Sequence, residues 1–185
     1  MLKVGIILGS TRPNRVGEEV ARWVHQHAQQ RGDAEYALID IRDQNLPLLD
    51  EPKPPAMGRY AHDHTRSWSQ VIQPLDAFVF VTAEYNHGIP AALKNAIDFL
   101  WSEWNEKAAG FVSYGSAGGV RSVEALRLVM AEIRIADVRS QLLLNTGTDF
   151  KGGKLEPTDR HRKQLDKVLD DVLAWGEAMR TLRRG

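Results

Sequence analysis

The chain contains no cysteine, which excludes disulfides, thiolate nucleophiles and cysteine-bound metal. Neither sign of charge is in excess. Lys+Arg 24 balance Asp+Glu 24, which argues against a general nucleic-acid binder. No apolar run approaches the roughly 20 residues of a membrane-spanning helix. The N-terminal "MLKVGIILGSTRPNR" holds an apolar stretch too short for a signal-peptide core, and a cytoplasmic location is the expectation. Internal repeats and low-complexity tracts are also lacking. Residues 1–185 then make one sizeable domain, with ordinary hydrophobic and charged fractions of 43% and 26%.

What is present is an alternation. Val4–Leu8, Tyr36–Ile41, Ala77–Thr82, Ala109–Tyr114 and Val138–Leu144 read as strands. Val16–Gln30, Trp68–Leu75, Ala91–Trp104, Val120–Arg134 and Asp159–Arg183 read as helices. The pattern predicts an α/β fold: a five-stranded parallel sheet with helices on both faces, a three-layer sandwich. Ligands of such sheets gather beyond the carboxyl ends of the strands, at the topological switch point. That rule brings together the loops after strands one, three and four. Between strand two and the second helix, "RDQNLPLLDEPKPPAMGRY" is too long and proline-rich for a plain connection and reads as a flap or interface segment.

The first of the three loops is "GSTRPNRVGEEV". Gly9 permits the tight turn, Ser10, Thr11 and Asn14 offer side-chain donors, and Arg12 and Arg15 offer charge. The free N–H groups at the helix start add an anion site, so the loop suits a terminal phosphate. A G-x-G-x-x-G dinucleotide fingerprint is absent, although Asp40 ends strand two where a ribose-binding acid would sit. A G-x-x-x-x-G-K-[ST] phosphate loop is also absent. A phospho-receiver domain would need acids after strand one and an Asp ending strand three, where Gly9-Ser10 and Thr82-Ala83 stand.

The loop after strand three, "EYNHGIP", places backbone amides with Tyr85 and His87, which can lie against a planar ring. Gly88 turns the chain and Pro90 sets the next helix. After strand four, "SYGSAGG" offers Gly115, Gly118 and Gly119, where main chain can come close to a ligand. A phosphate pocket beside a flat, hydrogen-bonding slot describes flavin mononucleotide. Outside these loops, Phe99, Trp101 and Trp104 suggest a subunit interface. Lys94, Asn95 and Asp98 organise a helix start and subunit contacts. His62 and His64 lack further ligands, so no metal is expected. The basic tail "MRTLRRG" reads as a solvated helix end.

"GSTRPNR", "LPLLDE", "AFVFVTAEYNHGIPAALKNAIDFL" and "SYGSAGGVRSVEALR" together resemble the flavodoxin-like NAD(P)H-dependent FMN reductases, in the family's order and over most of residues 1–144. The resemblance is nearest to members that reduce quinones, azo compounds or metal oxyanions. It implies a flavodoxin-like fold, FMN as cofactor, NADPH or NADH as co-substrate, a small-molecule acceptor, and a homodimer or dimer of dimers. It also implies roles. Ser10, Arg12, Asn14 and Arg15 surround the phosphate, with Val16 starting the helix beneath it. Glu84, Tyr85, Asn86, His87 and Gly88 line the isoalloxazine, largely through backbone. Tyr114, Gly115 and Gly118 border its pyrimidine side. No side-chain acid or base is required for hydride transfer, His87 being the one catalytic candidate. Ala83, Ala91 and His87 depart from the residues many members carry. A flavodoxin-like electron carrier is the alternative, disfavoured by the balanced charge and the two loop arginines.

Overall fold

The computed structural model describes residues 1–184. Five strands, β1 (Lys3–Leu8), β2 (Glu35–Asp40), β3 (Ala77–Ala83), β4 (Ala108–Gly115) and β5 (Ala136–Asn145), form one sheet in the order β2-β1-β3-β4-β5. Every neighbouring pair is parallel. Helices α1 (Gly17–Arg31), α2 (Asp63–Ile72), α3 (Ala91–Asp98) and α4 (Val120–Glu132) make the crossovers, and α5 (Asp159–Arg184) closes the chain. This is the flavodoxin-type doubly wound order.

The central strands are buried throughout because both faces of the sheet are covered. Alternate β3 residues point to opposite sides, as a strand period of two requires. Val79 and Val81 pack with Val20 and Val24 of α1 and Leu165, Val168 and Val172 of α5. Phe78 and Phe80 pack with Trp68 of α2, Leu93 and Ile97 of α3, and Val123 and Leu126 of α4.

Several elements differ from the sequence reading. Helix α3 stops at Asp98 rather than Trp104, and residues 99–106 fold back as turns. Phe99 and Trp104 are fully buried, so they belong to the core and not to an interface. The indole N–H of Trp104 bonds the Ile97 carbonyl at 3.1 Å, and that of Trp68 bonds Ala96 at 2.8 Å. These indoles satisfy carbonyls that the shortened helix leaves over. A small hairpin, β6 (Phe150–Lys151) and β7 (Lys154–Leu155), was not foreseen. The basic end of α5 is tied down as well: Arg183 donates to Asp76 and to the Glu106 carbonyl, both at 2.5 Å.

The long segment after β2 runs over α3 and is held there by Asn95. The Asn95 Oδ1 accepts the Leu49 N–H at 2.9 Å, and its Nδ2 donates to the Pro47 carbonyl at 2.7 Å. His62 and His64 stack at 5.1 Å, with His64 on Asp50 at 2.9 Å. Among the described residues no group of three or more His, Asp or Glu could hold a metal, and no helix is long and apolar enough to cross a membrane.

Candidate active site

Parallel register aligns the carboxyl ends of β1, β3 and β4, with Leu8 beside Val81 and Ala83 beside Tyr114. The three unusual loops therefore leave the sheet side by side. Gly9 N–H bonds the Val81 carbonyl at 2.9 Å, which holds the first loop against β3.

Within the first loop the two arginines divide. Arg15 is buried, donates to the Ser10 carbonyl and pairs with Asp40. It braces the loop from below, and Asp40 is its partner rather than a sugar ligand. Arg12 is exposed, as is Asn14, which turns the loop in the left-handed region at φ 53°. Ser10 is fully buried, and its Oγ shares a 2.7 Å hydrogen bond with the Tyr85 hydroxyl. Val16 precedes α1, lines the cleft and provides no side-chain cap, so the first amides of that helix are left without a side-chain partner.

The second loop is a two-residue hairpin turn. Tyr85 N–H bonds the Gly88 carbonyl at 3.2 Å, and Gly88 N–H bonds the Tyr85 carbonyl at 3.1 Å. The central residues Asn86 and His87 both take positive φ, 48° and 72°, as in type I′ turns. Asn tolerates this conformation and His does so at some strain. His87 is exposed at the turn tip. Glu84 points away from the turn: its carboxylate accepts the Arg121 N–H at 3.0 Å and pairs with the Arg121 guanidinium.

In the third loop Gly118 and Gly119 take φ 70° and 75°. A Cβ at Gly119 would lie 2.8 Å from the Ser113 Cβ and 2.9 Å from the Tyr114 nitrogen. The glycines are needed so that this turn can pack on β4 itself, not only for close approach of a ligand. Tyr114 is 5% exposed, and its hydroxyl lies against the first turn of α1 beside Gly17. That hydroxyl is buried without a hydrogen-bond partner. Burial, and after it Tyr85, pushes its phenol up to about 12.

Arg12, Arg15, Val16, Tyr85, Tyr114 and Gly115 border one cleft of about 240 Å³, which Glu84 also reaches. Ser10, Asn14, Asn86, His87, Gly88 and Gly118 do not line it. Ala83, Ser116 and Thr146 do; the sequence marked Ala83 only as a departure from the family pattern and named neither Ser116 nor Thr146 as a site residue. Thr146 lies in the turn after β5, where its N–H bonds the Gly115 carbonyl at 3.0 Å. The turn chemistry of "NTGTD" signals a loop, but its position beside the third loop follows only from the strand order.

These features fit a phosphorylated planar cofactor. An uncapped helix start and an exposed arginine suit an anion, and the unpartnered Tyr114 hydroxyl can donate to an acceptor. The model of the NADPH-dependent FMN reductase family matches residues 2–149. The chain belongs to this family. FMN is accordingly the reductase's cofactor and NAD(P)H its reductant. It is 39% identical over 170 residues to an NAD(P)H-dependent FMN reductase of Schizosaccharomyces pombe, covering 90% of this chain and 84% of the relative. It is 30% identical over 186 residues to a quinone reductase of Pseudomonas putida, covering 93% of each. Among solved structures, FerB, a flavoenzyme NAD(P)H:(acceptor) oxidoreductase of Paracoccus denitrificans, superposes with a TM-score of 0.75 at 20% identity, covering 97% of this chain and 99% of that one. That likeness shows the shared fold.

Proposed function

We propose that this chain is an NAD(P)H-dependent FMN oxidoreductase that passes electrons to small acceptors such as quinones, and that residues 1–185 act as one unit. The observation that carries the reading is the meeting of the uncapped α1 start, the orphan Tyr114 hydroxyl and the 85–88 turn on one cleft. When bound, FMN supplies the redox chemistry, taking hydride from the nicotinamide and passing electrons on. The protein's own work is to bind and orient. Arg12, Ser10, Tyr114 and the α1 amides would hold the phosphate, with Arg15 bracing the loop from Asp40. Tyr85 and the rigid turn behind it would flank the ring, and Gly115 and Thr146 would border its far edge. His87 at the turn tip would stand at the mouth.

A homodimer is part of the proposal. An apolar groove of about 450 Å³ lined by Pro54, Pro55, Lys94, Trp101 and Leu128 borders the flap. Leu128 is 77% exposed and Met57 60%, an apolar surface of the kind that a second copy covers. A cytoplasmic location suits a cysteine-free chain.

The test is an absorption spectrum of the protein with FMN added back, followed by anaerobic mixing with NADPH and with NADH. A flavin band that bleaches promptly supports the reductase. Bound flavin that neither nucleotide reduces would favour an electron carrier, and no flavin binding would overturn the reading.

A further inference from the structure

Glu84 is the residue of the second loop whose side chain leaves it. Helix α4 begins after Gly119, which has no side chain to cap the helix. The Glu84 carboxylate, arriving from the end of β3, takes that place by accepting the Arg121 N–H at 3.0 Å. It also pairs with the Arg121 guanidinium, its own side chain 6% exposed and that of Arg121 40%. Arg121, through its side chain first, holds the Glu84 carboxyl below the usual carboxylate range, so Glu84 is ionised at neutral pH. One buried negative charge thus faces two positive features, a guanidinium and the N-terminus of a 13-residue helix.

We propose that Glu84 is a positioning residue that sets the reduction potential of bound FMN by neutralising Arg121 and the α4 N-terminus beside the cleft. This rests on the FMN reading above. Hydride uptake adds one negative charge to whatever accepts it. An unbalanced guanidinium and helix N-terminus beside the cleft would favour that charge and retain the electrons. Glu84 cancels the field, so the electrons remain available to a quinone. Its charge matters here as well as its shape, which separates the proposal from a purely structural fastening of two loops.

The experiment compares the FMN-loaded full-length parent with Glu84→Gln, Arg121→Gln and the double variant. The readouts are the midpoint potential against reference dyes, the FMN dissociation constant and thermal unfolding. Glu84→Gln keeps an acceptor for the α4 amide but loses the charge. It is expected to shift the oxidised–reduced equilibrium about tenfold toward reduced, which is about 30 mV upward for a two-electron couple. Arg121→Gln is expected to shift it downward, and the double variant to return toward the parent. Unchanged potentials, with only affinity or unfolding altered, would overturn the proposal and leave Glu84 a structural cap. If Glu84→Gln fails to fold, Arg121→Gln still reports, since its side chain is partly exposed, and a potential that stays or rises in it overturns the proposal. A parent that binds no FMN would overturn the cofactor reading itself, and the parent alone reveals that outcome.

Discussion

The Tyr114 hydroxyl occupies the space that a Cβ at position 17 would need. Gly17 opens α1 directly after Val16, which lines the cleft, so one contact joins the fold to the first loop. Gly17→Ala is expected to push the ring or the helix start aside, at a cost of about 1–3 kcal/mol. Both the melting temperature and the FMN content should fall. Tyr114→Phe removes a hydroxyl that has no partner in the protein. It should leave unfolding of the FMN-free chain nearly unchanged and weaken FMN about tenfold. Equal dissociation constants for parent and variant would count against the phosphate contact.

Arg12 and Arg15 should separate in the laboratory as they do in space. Arg15→Ala leaves Asp40 without its buried partner and is expected to lose about 3 kcal/mol of stability by denaturant unfolding. Arg12→Ala alters an exposed side chain at the cleft rim. It should keep the unfolding midpoint and weaken FMN about tenfold in a fluorescence titration.

Asn95→Ala cuts both hydrogen bonds that hold the flap at Pro47 and Leu49. Each is worth about 0.5–1.5 kcal/mol, and the loss is local. Hydrogen exchange and limited proteolysis should quicken around residues 45–50 while the global melting temperature changes little.

Lys107 lies at the opposite end of the sheet, where its Nζ donates to the Ile72 and Gln73 carbonyls, both at 3.0 Å. Burial, and after it Arg183, lowers its pKa to about 7, with Asp76 and Glu103 opposing the shift. Between about pH 7 and 10.5 the unfolded chain holds a proton that the folded chain has released. Stability therefore rises with pH across that window, by up to about 1.4 kcal/mol per unit, and the penalty is full below it. The urea midpoint of the parent should climb from pH 7 to 9, and in Lys107→Met this contribution should vanish.

Leu128→Asp places a charge in the apolar groove beside Trp101. If two copies meet there, sedimentation should show a monomer for the variant and a dimer for the parent. An identical assembly in both would exclude that face.

Much of this protein follows from local pattern. The alternation of apolar runs with helical periods requires a covered parallel sheet, since neither β3 nor β4 has a polar face to give to water. The loop residues likewise announce a phosphate and a flat ring through residue type alone. What local pattern does not carry is the direction in which a side chain leaves its loop. Arg15 and Glu84 read as parts of the ligand site and both border the cleft, yet their charged ends are engaged by the protein itself, Arg15 by Asp40 and Glu84 by Arg121 at the start of α4. Phe99 and Trp104 read as an interface but fill the core, because α3 ends early and the chain folds back beneath it. Thr146 joins the cleft only because β5 lies next to β4. Sequence determined which elements form and which chemistry the loops can hold, since periodicity and residue type act over a few positions. Tertiary structure decided which charges are already satisfied, because strand order brings Asp40 to Arg15 and Arg121 to Glu84 and brings no such partner to Arg12 among the described residues.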